Sequence, residues 1–156
     1  MSRPMPDRKP LIALVHDLDR VFQAHMVREA HSRGRTDVKP AHNALFAILG
    51  MDGDRAANLA ARAGITRQSM GEVIRDLVDI GILEMARDPT DGRAKIVRYT
   101  PEGEAFTGRG FQHLRDLEGR FEDEFGADYE AARRVLERVA TMLAELDAGA
   151  ESPAQG

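Results

Sequence analysis

One stretch of the chain combines hydrogen-bonding side chains with apolar side chains at helical spacing. After Thr66, apolar residues recur at three- and four-residue intervals: Met70, Val73, Ile74 and Leu77. This spacing predicts an amphipathic helix that buries one face. At about 100° per residue, the opposite face carries Arg67, Gln68, Gly71, Glu72 and Arg75.

The residue types on that outer face suit contacts with duplex DNA. Arginine bridges guanine O6 and N7, and glutamine pairs with adenine, so Arg67, Arg75 and Gln68 can read base edges. Thr66 and Ser69 stand at the helix start, where free backbone N–H groups attract phosphate. Gly71 leaves room for a close approach of the backbone. A solvated polar face is the alternative interpretation, and this helix alone does not decide between the two.

The residues before Thr66 predict a second helix packed against the first. Residues 55–63 are rich in alanine, and Gly64 stands where a glycine commonly ends a helix. Two helices that flank one glycine turn form a helix-turn-helix. In that motif the second helix offers its N-terminal turns to the major groove.

A β-hairpin is predicted directly after the helix-turn-helix. Residues 82–87 and 95–99 are β-compatible, and residues 88–94 (DPTDGRA) between them are dense in turn formers. Arg93 at the hairpin tip is placed to enter the minor groove, with Asp91 beside it to orient it. Lys95 and Arg98 add candidate phosphate contacts.

Long helices are predicted on both sides of this central segment. Apolar periodicity predicts a first helix over 11–30, a second that starts at Pro40 and stops near 50–53, and a last helix with apolar residues from Val135 to Leu146. Thr100-Pro101-Glu102 has the features of a helix start: an N-cap, a first-turn proline and an early negative charge. Gly126 punctuates the chain before the last helix.

Composition places the chain among globular proteins and excludes several mechanisms. The 156 residues are 42% hydrophobic, and none is cysteine, which rules out disulfides, thiolate redox switches and cysteine–zinc sites. The net charge of −4 is uneven, because residues 100–156 hold 13 acidic and 6 basic side chains. Without an apolar run long enough to span a bilayer or a signal peptide core, we expect a cytoplasmic protein with no membrane partner.

These motifs together resemble one known family. The run LAARAGITRQSMGEVIRDLVDIGILEMARDPTDGRAKIVRYTPEG (59–103), with VKPAHNALFAIL (38–49), is similar to bacterial regulators of the multiple antibiotic resistance (MarR) family. The resemblance implies a repressor that binds a pseudo-palindromic operator as a triangular homodimer. The implied fold class is mainly α (α+β), a winged helix-turn-helix whose N- and C-terminal helices form the dimerisation region. Uncovered apolar stripes on those helices agree with burial against a second copy, and packing within one chain is the alternative.

The expected domain organisation follows from this resemblance. One MarR-like domain covers 10–147 between flexible tails at 1–9 and 148–156. Within it, dimerisation helices lie at 11–30 and 101–147, and the winged helix-turn-helix lies at 40–100.

The resemblance also assigns candidate sites. Thr66, Arg67, Gln68, Ser69 and Arg75 match the recognition helix, whereas Asp91 and Arg93 match the wing. Gly71 departs from the family pattern, in which a larger residue is usual. A small phenolic or anionic effector is implied, with candidate lining residues Phe22, His25, Phe46 and Phe111; aromatic residues on apolar stripes otherwise belong to the core.

Other classes of function have less support in the sequence. The five histidines include no pair at i, i+4, and no cysteine assists them, so we expect no metal and no cofactor. The chain lacks a phosphate loop, a dinucleotide fingerprint and a nucleophile elbow, so we expect no enzyme. The remaining alternative is a winged-helix module that docks a protein. Arginines on the reading face favour DNA, whereas a protein dock would expose apolar anchors there.

Overall fold

A computed structural model describes residues 8–150, and it contains mostly helix with one small sheet. The helices are α1 (Leu11–Ser32), a 3-10 helix (Pro40–His42), α2 (Asn43–Phe46), α3 (Ala56–Ala63), α4 (Arg67–Asp79), α5 (Pro101–Phe125) and α6 (Ala127–Ala150). The strands are β1 (Leu83–Arg87) and β2 (Lys95–Tyr99). Residues 1–7 and 151–156 of the two expected tails lie outside the described residues, and α6 continues through 148–150.

The described chain divides into two compact units, the first ending at Gly110 and the second beginning at Phe111. The first unit contains the helix-turn-helix, the hairpin and their common core. This core joins side chains from every element between the end of α1 and β2, and its fully covered members include Leu45, Leu59, Met70, Leu77, Ile82 and Val97. The winged helix-turn-helix predicted from the sequence is therefore confirmed.

The second helix differs from its prediction. The expected continuous helix from Pro40 to about residue 50 is a 3-10 turn followed by four α-helical residues and a further turn. The His42 Nδ1 atom accepts a hydrogen bond from the backbone N–H of Lys39, 3.2 Å away, and closes the first turn. Apolar periodicity reports which face is buried, but it does not distinguish short α-helical turns from 3-10 turns.

The hairpin forms as predicted, with one further contact. Strands β1 and β2 pair antiparallel, with Leu83 opposite Tyr99 and Arg87 opposite Lys95. Asp54 adds a bridge to Val97 on the other edge of β2, with N···O distances of 3.0 and 2.8 Å. Gly53 precedes it at φ 79°, and a Cβ atom there would lie 2.6 Å from the Val97 carbonyl oxygen. This crowding requires glycine.

The start of α5 is fixed to the beginning of β1. Thr100 Oγ1 accepts from the Gly103 N–H at 3.0 Å and donates to the Gly81 carbonyl oxygen at 2.6 Å. A Cβ atom on Gly103 would lie 2.0 Å from the Ile82 carbonyl oxygen. The first turn of α5 can therefore lie against β1 only because residue 103 has no side chain.

The second unit contains most of α5 and all of α6. Gly126, at φ 55°, separates the two helices, and the Phe121 and Tyr129 rings meet across this break with centroids 6.0 Å apart. The helix break predicted at Gly126 is therefore present. Within residues 8–150, no helix is both long and apolar enough to cross a membrane.

Candidate nucleic-acid interface

Helix α4 begins with a side-chain cap that leaves its first turn open to solvent. Thr66 has extended backbone geometry, and its Oγ1 accepts from the Ser69 N–H at 3.0 Å, as the N-cap role predicts. The same hydroxyl donates to Ser69 Oγ at 2.9 Å. Thr66 and Ser69 are both exposed. The positive end of the helix dipole therefore lies at an accessible polar surface, where an anion is stabilised.

The outer face of α4 presents the predicted reading residues together. Arg67, Gln68 and Arg75 are exposed, whereas Met70, Ile74 and Leu77 on the inner face are buried. Gln68 Nε2 donates to Glu72 Oε1 at 3.4 Å, one helical turn away. The Glu72 carboxylate, which the sequence places on this face, thus lies among the reading residues.

Gly71 makes an open gap in this helix. A Cβ atom there would meet nothing within 4 Å, so no neighbour requires glycine. Glycine in the middle of a helix costs about 1 kcal/mol relative to alanine. Packing within the chain does not explain this cost. A glycine here leaves space for the backbone of another molecule to approach α4 closely.

The wing carries a basic pair where its strands meet the loop. Arg87 and Lys95 are directly opposite on β1 and β2, and both are exposed. Like charges in this arrangement repel each other, and a phosphate between them relieves the repulsion. Arg98 on β2 is a predicted phosphate contact, but its guanidinium already forms an ion pair with Glu84. The Arg98 Nη2 and Glu84 Oε1 atoms are 2.6 Å apart.

Loop 88–94 forms a turn with Arg93 exposed near its tip. Asp91 Oδ1 accepts from the backbone N–H of Arg93 at 3.2 Å, and the Asp91 carbonyl oxygen accepts from the Ala94 N–H at 2.9 Å. Asp91 therefore contacts Arg93 through the backbone and not through the guanidinium. Asp91, Arg93 and Lys95 lie in one hairpin, as the sequence indicates.

The sequence did not predict a contact between Asp88 in the wing loop and Arg55 before α3. Asp88, 7% exposed, accepts from Thr90 and from Arg55, and these hydrogen bonds hold the pKa of its carboxyl well below the usual range. The signal available was the Asp-Pro-Thr turn at 88–90, since aspartate often accepts from the backbone two residues on. Nothing local to Arg55 points to Asp88, because 33 residues separate them.

A second polar cluster joins α4 to the 3-10 helix. Lys39 Nζ contacts Asp76 Oδ2 at 2.6 Å, and the His42 Nε2 atom lies 3.6 Å from the same oxygen. His42 is 1% exposed, and its Nε2 atom has no hydrogen-bond partner. Burial lowers the pKa of His42, although the Asp76 carboxylate opposes that shift. This cluster fixes the middle of α4 at its inner side, away from the reading face.

The candidate effector residues lie on several different elements. Phe46 packs on the core, and its ring lies 5.5 Å from the Phe106 ring, so its environment is that of a core residue. Phe22 and His25 are half-buried on α1, whereas Phe111 belongs to the second unit and is 45% exposed. Within residues 8–150, no group of three or more histidine, aspartate or glutamate side chains is arranged to hold a metal ion.

A capped recognition helix beside a basic hairpin defines a winged helix-turn-helix protein. A sequence model of the MarR family matches residues 34–94. The transcriptional regulator HosA of Escherichia coli O111:H- is 29% identical over 89 residues, which are 57% of this chain and 65% of HosA. The match over residues 34–94 confirms the resemblance to the MarR family that the sequence shows.

Solved structures share this fold along most of the chain. A crystal structure of MarR superposes with a TM-score of 0.71 at 20% identity, covering 94% of this chain and 99% of that one. The PcaV transcriptional regulator of Streptomyces coelicolor, solved with its natural ligand, gives a TM-score of 0.57 at 26% identity over 90% and 99% of the two chains. The fold match therefore extends beyond the matched segment into the flanking helices.

Proposed function

We propose that this chain is a transcriptional regulator that binds duplex DNA sequence-specifically. The observation that carries the proposal is the exposed N-terminal half of α4, which presents Arg67, Gln68 and Ser69 beside the basic wing. In this arrangement α4 enters the major groove and Arg93 enters the adjacent minor groove. Arg87 and Lys95 contact phosphates between the two grooves.

The surface chemistry favours DNA over a protein partner. Every residue of α4 lies in the described part of the chain, and its exposed side chains are all polar or charged. Protein docks concentrate aromatic and aliphatic anchors at their centre, and this face offers none. The overall net charge of −4 does not oppose DNA binding, because the acidic excess is in residues 100–156.

A homodimer accounts for the apolar surface of the terminal helices. On α1 the exposed apolar side chains include Leu11, Ile12, Leu14, Leu18 and Val21. On α6 they are Val135, Leu136, Met142, Leu143 and Leu146. Contiguous apolar stripes of this size are rare on monomers and are typical of association surfaces. Two recognition helices related by twofold symmetry would read an inverted repeat with half-sites about 34 Å apart.

The regulator represses by occupying its operator, and a small molecule releases it. The similarity to PcaV, which was crystallised with its natural ligand, supports this step. The effector class is a small phenolic or anionic compound, and Phe22, His25 and Phe46 of the first unit are the candidate contacts. The protein acts in the cytoplasm, where a bacterial chromosome is accessible.

A selection of genomic fragments tests this function. Purified protein would be mixed with fragmented genomic DNA at physiological salt, and the bound fragments would be sequenced. A double variant, Arg67→Ala with Gln68→Ala, is the control, since both side chains are exposed and their loss spares the core. We expect the wild type to enrich an inverted repeat that the variant does not enrich. Equal enrichment by the two proteins would show that Arg67 and Gln68 do not read the DNA, and no enrichment by the wild type would favour the protein-docking module.

A further inference from the structure

The wing loop is tied to the helix-turn-helix by a single guanidinium. Arg55 immediately precedes α3, and its Nε and Nη2 atoms both donate to Asp88 Oδ2, at 2.8 and 2.6 Å. Nη2 also lies 3.4 Å from Asp91 Oδ2. The side chain thus bridges the two aspartates of loop 88–94 from outside the hairpin.

Both oxygen atoms of the Asp88 carboxylate accept hydrogen bonds. Its Oδ1 atom accepts from the Thr90 N–H at 2.8 Å and from the Thr90 hydroxyl at 2.7 Å. The other oxygen accepts the two bonds from Arg55. These contacts are charge-assisted, and the Asp88 carboxylate is buried while the Arg55 side chain is 43% exposed. The base of the loop is therefore fixed in place.

The hydrogen bonds continue from Arg55 to the tip of the wing. The carboxylate of Asp91 contacts Arg55 through Oδ2 and the backbone N–H of Arg93 through Oδ1, at 3.4 and 3.2 Å. The Arg93 side chain is exposed, and no hydrogen bond of its guanidinium to the described chain is present. The neighbouring Gly92 adds backbone freedom, since a Cβ atom there would meet nothing within 4 Å. Without an external tie, such a tip would sample many conformations.

We propose that Arg55 is a positioning residue that holds the wing loop so that Arg93 is presented to the minor groove. This inference rests on the proposed function. Arg55 itself faces two carboxylates, which neutralise its charge, so its contribution is not a phosphate contact. It acts by ordering the loop before binding, which removes an entropic cost that the complex would otherwise bear.

A double-mutant cycle tests whether Arg55 affects DNA binding through Arg93 or independently of it. The probe is duplex DNA that carries the inverted repeat enriched by the wild type, and affinity is measured by fluorescence anisotropy at one salt concentration. We expect Arg55→Ala to weaken binding roughly two- to tenfold, the range for ordering a long side chain and its loop. In the Arg93→Ala background the same change should have an effect of less than about twofold, because nothing is left to position.

The control variant is Arg62→Ala. Arg62 lies on α3, which Arg55 precedes, and it contacts Asp54 and the Ile48 carbonyl oxygen but not the wing loop. We expect its effect to be the same in both backgrounds. The conservative Arg55→Lys should behave like Arg55→Ala, since one ammonium cannot reproduce the two-atom contact with Asp88.

Backbone dynamics of the free protein give a second readout that does not need DNA. In ¹⁵N relaxation, Arg55→Ala should lower the order parameters of Arg93 and Ala94 from about 0.85 to below about 0.6, with those of α3 and α4 unchanged. An equal loss of affinity in both backgrounds, or an unchanged loop, would overturn the inference while leaving the DNA-binding function intact. If the wild type enriched no repeat, the proposed function and this inference would both fail.

Discussion

At the residue scale, Arg93 differs from Arg98 and Arg55, because its guanidinium forms no ion pair within the described residues. Arg98 is neutralised by Glu84 across the strands, and Arg55 is neutralised by Asp88. Arg93 is exposed and keeps its full charge for a partner. A cation of this kind releases counterions from DNA when it binds, which makes its contribution visible in the salt dependence.

The first prediction concerns Arg93→Ala. Loss of this side chain should weaken operator binding and reduce the slope of log affinity against log salt by about 0.9. Titrations at several salt concentrations measure both quantities. Arg120→Ala, which removes an exposed arginine from α5, should leave the slope unchanged. An Arg93→Ala slope equal to that of the wild type would show that Arg93 does not contact the DNA.

The second prediction concerns Gln68→Ala. Gln68 is held toward Glu72 on the reading face, so its amide is available to one base pair in a fixed orientation. Selection from randomised half-sites should show that the variant loses its base preference at one position of each half-site. Gln112→Ala on α5 serves as the matched control. A variant with weaker affinity but the same preferred sequence would indicate that Gln68 contacts only phosphate.

The third prediction concerns pH and His42. Burial lowers the pKa of His42 from its ordinary value of 6.5, so the unfolded chain binds a proton that the folded chain does not bind. The free energy of unfolding should therefore fall as the pH drops below about 6.5, until the lowered folded-state pKa is reached. His42→Asn, whose side-chain oxygen can still accept from Lys39, should lose this dependence.

Urea unfolding at fixed protein concentration between pH 5 and 7.5 measures this effect. His16→Asn on the exposed face of α1 is the control and should retain the wild-type pH dependence. If His42→Asn and the wild type lost stability in parallel as the pH fell, burial of His42 would not be the cause.

At the element scale, the first turn of α5 packs closely against the start of β1 because residue 103 is a glycine. The fourth prediction is that Gly103→Ala lowers the free energy of unfolding by about 1–3 kcal/mol, because the new Cβ would lie 2.0 Å from the Ile82 carbonyl oxygen. Gly108→Ala on the same helix meets nothing within 4 Å and should raise the stability by up to about 1 kcal/mol. Chemical denaturation compares the two, and a stable Gly103→Ala variant would contradict the close approach.

The elements that could be predicted are those specified by nearby residues. Thr66, Gly64 and Gly81 bound the helices of the reading motif, and the turn formers of 88–94 define the hairpin, so local chemistry was sufficient. The short second helix could not be predicted, because tertiary packing around Leu45 and Leu49 decides its geometry. The Arg55 contact with Asp88 was also missed, since no local pattern reports a contact across 33 residues. The reading face was predictable because helical periodicity alone separates it from the core.

At the scale of the whole molecule, the proposed homodimer would cover the exposed apolar stripes on α1 and α6. The fifth prediction is that Leu143→Glu, a charge placed in the α6 stripe, converts a dimer to a monomer and strongly weakens operator binding. Sedimentation equilibrium measures the mass. Thr141→Glu, on the opposite side of α6 and also exposed, should stay dimeric. A Leu143→Glu protein with unchanged mass would place the dimer contact elsewhere.

The most direct test of the whole account is a hydroxyl-radical footprint on the enriched DNA. A symmetric pair of winged helices should protect two backbone patches centred about one helical turn, roughly 34 Å, apart on one face of the duplex, with further minor-groove protection that disappears in Arg93→Ala. A single patch, uniform weak protection, or a footprint unchanged by the loss of Arg67, Gln68 and Arg93 would contradict sequence reading by paired winged helices.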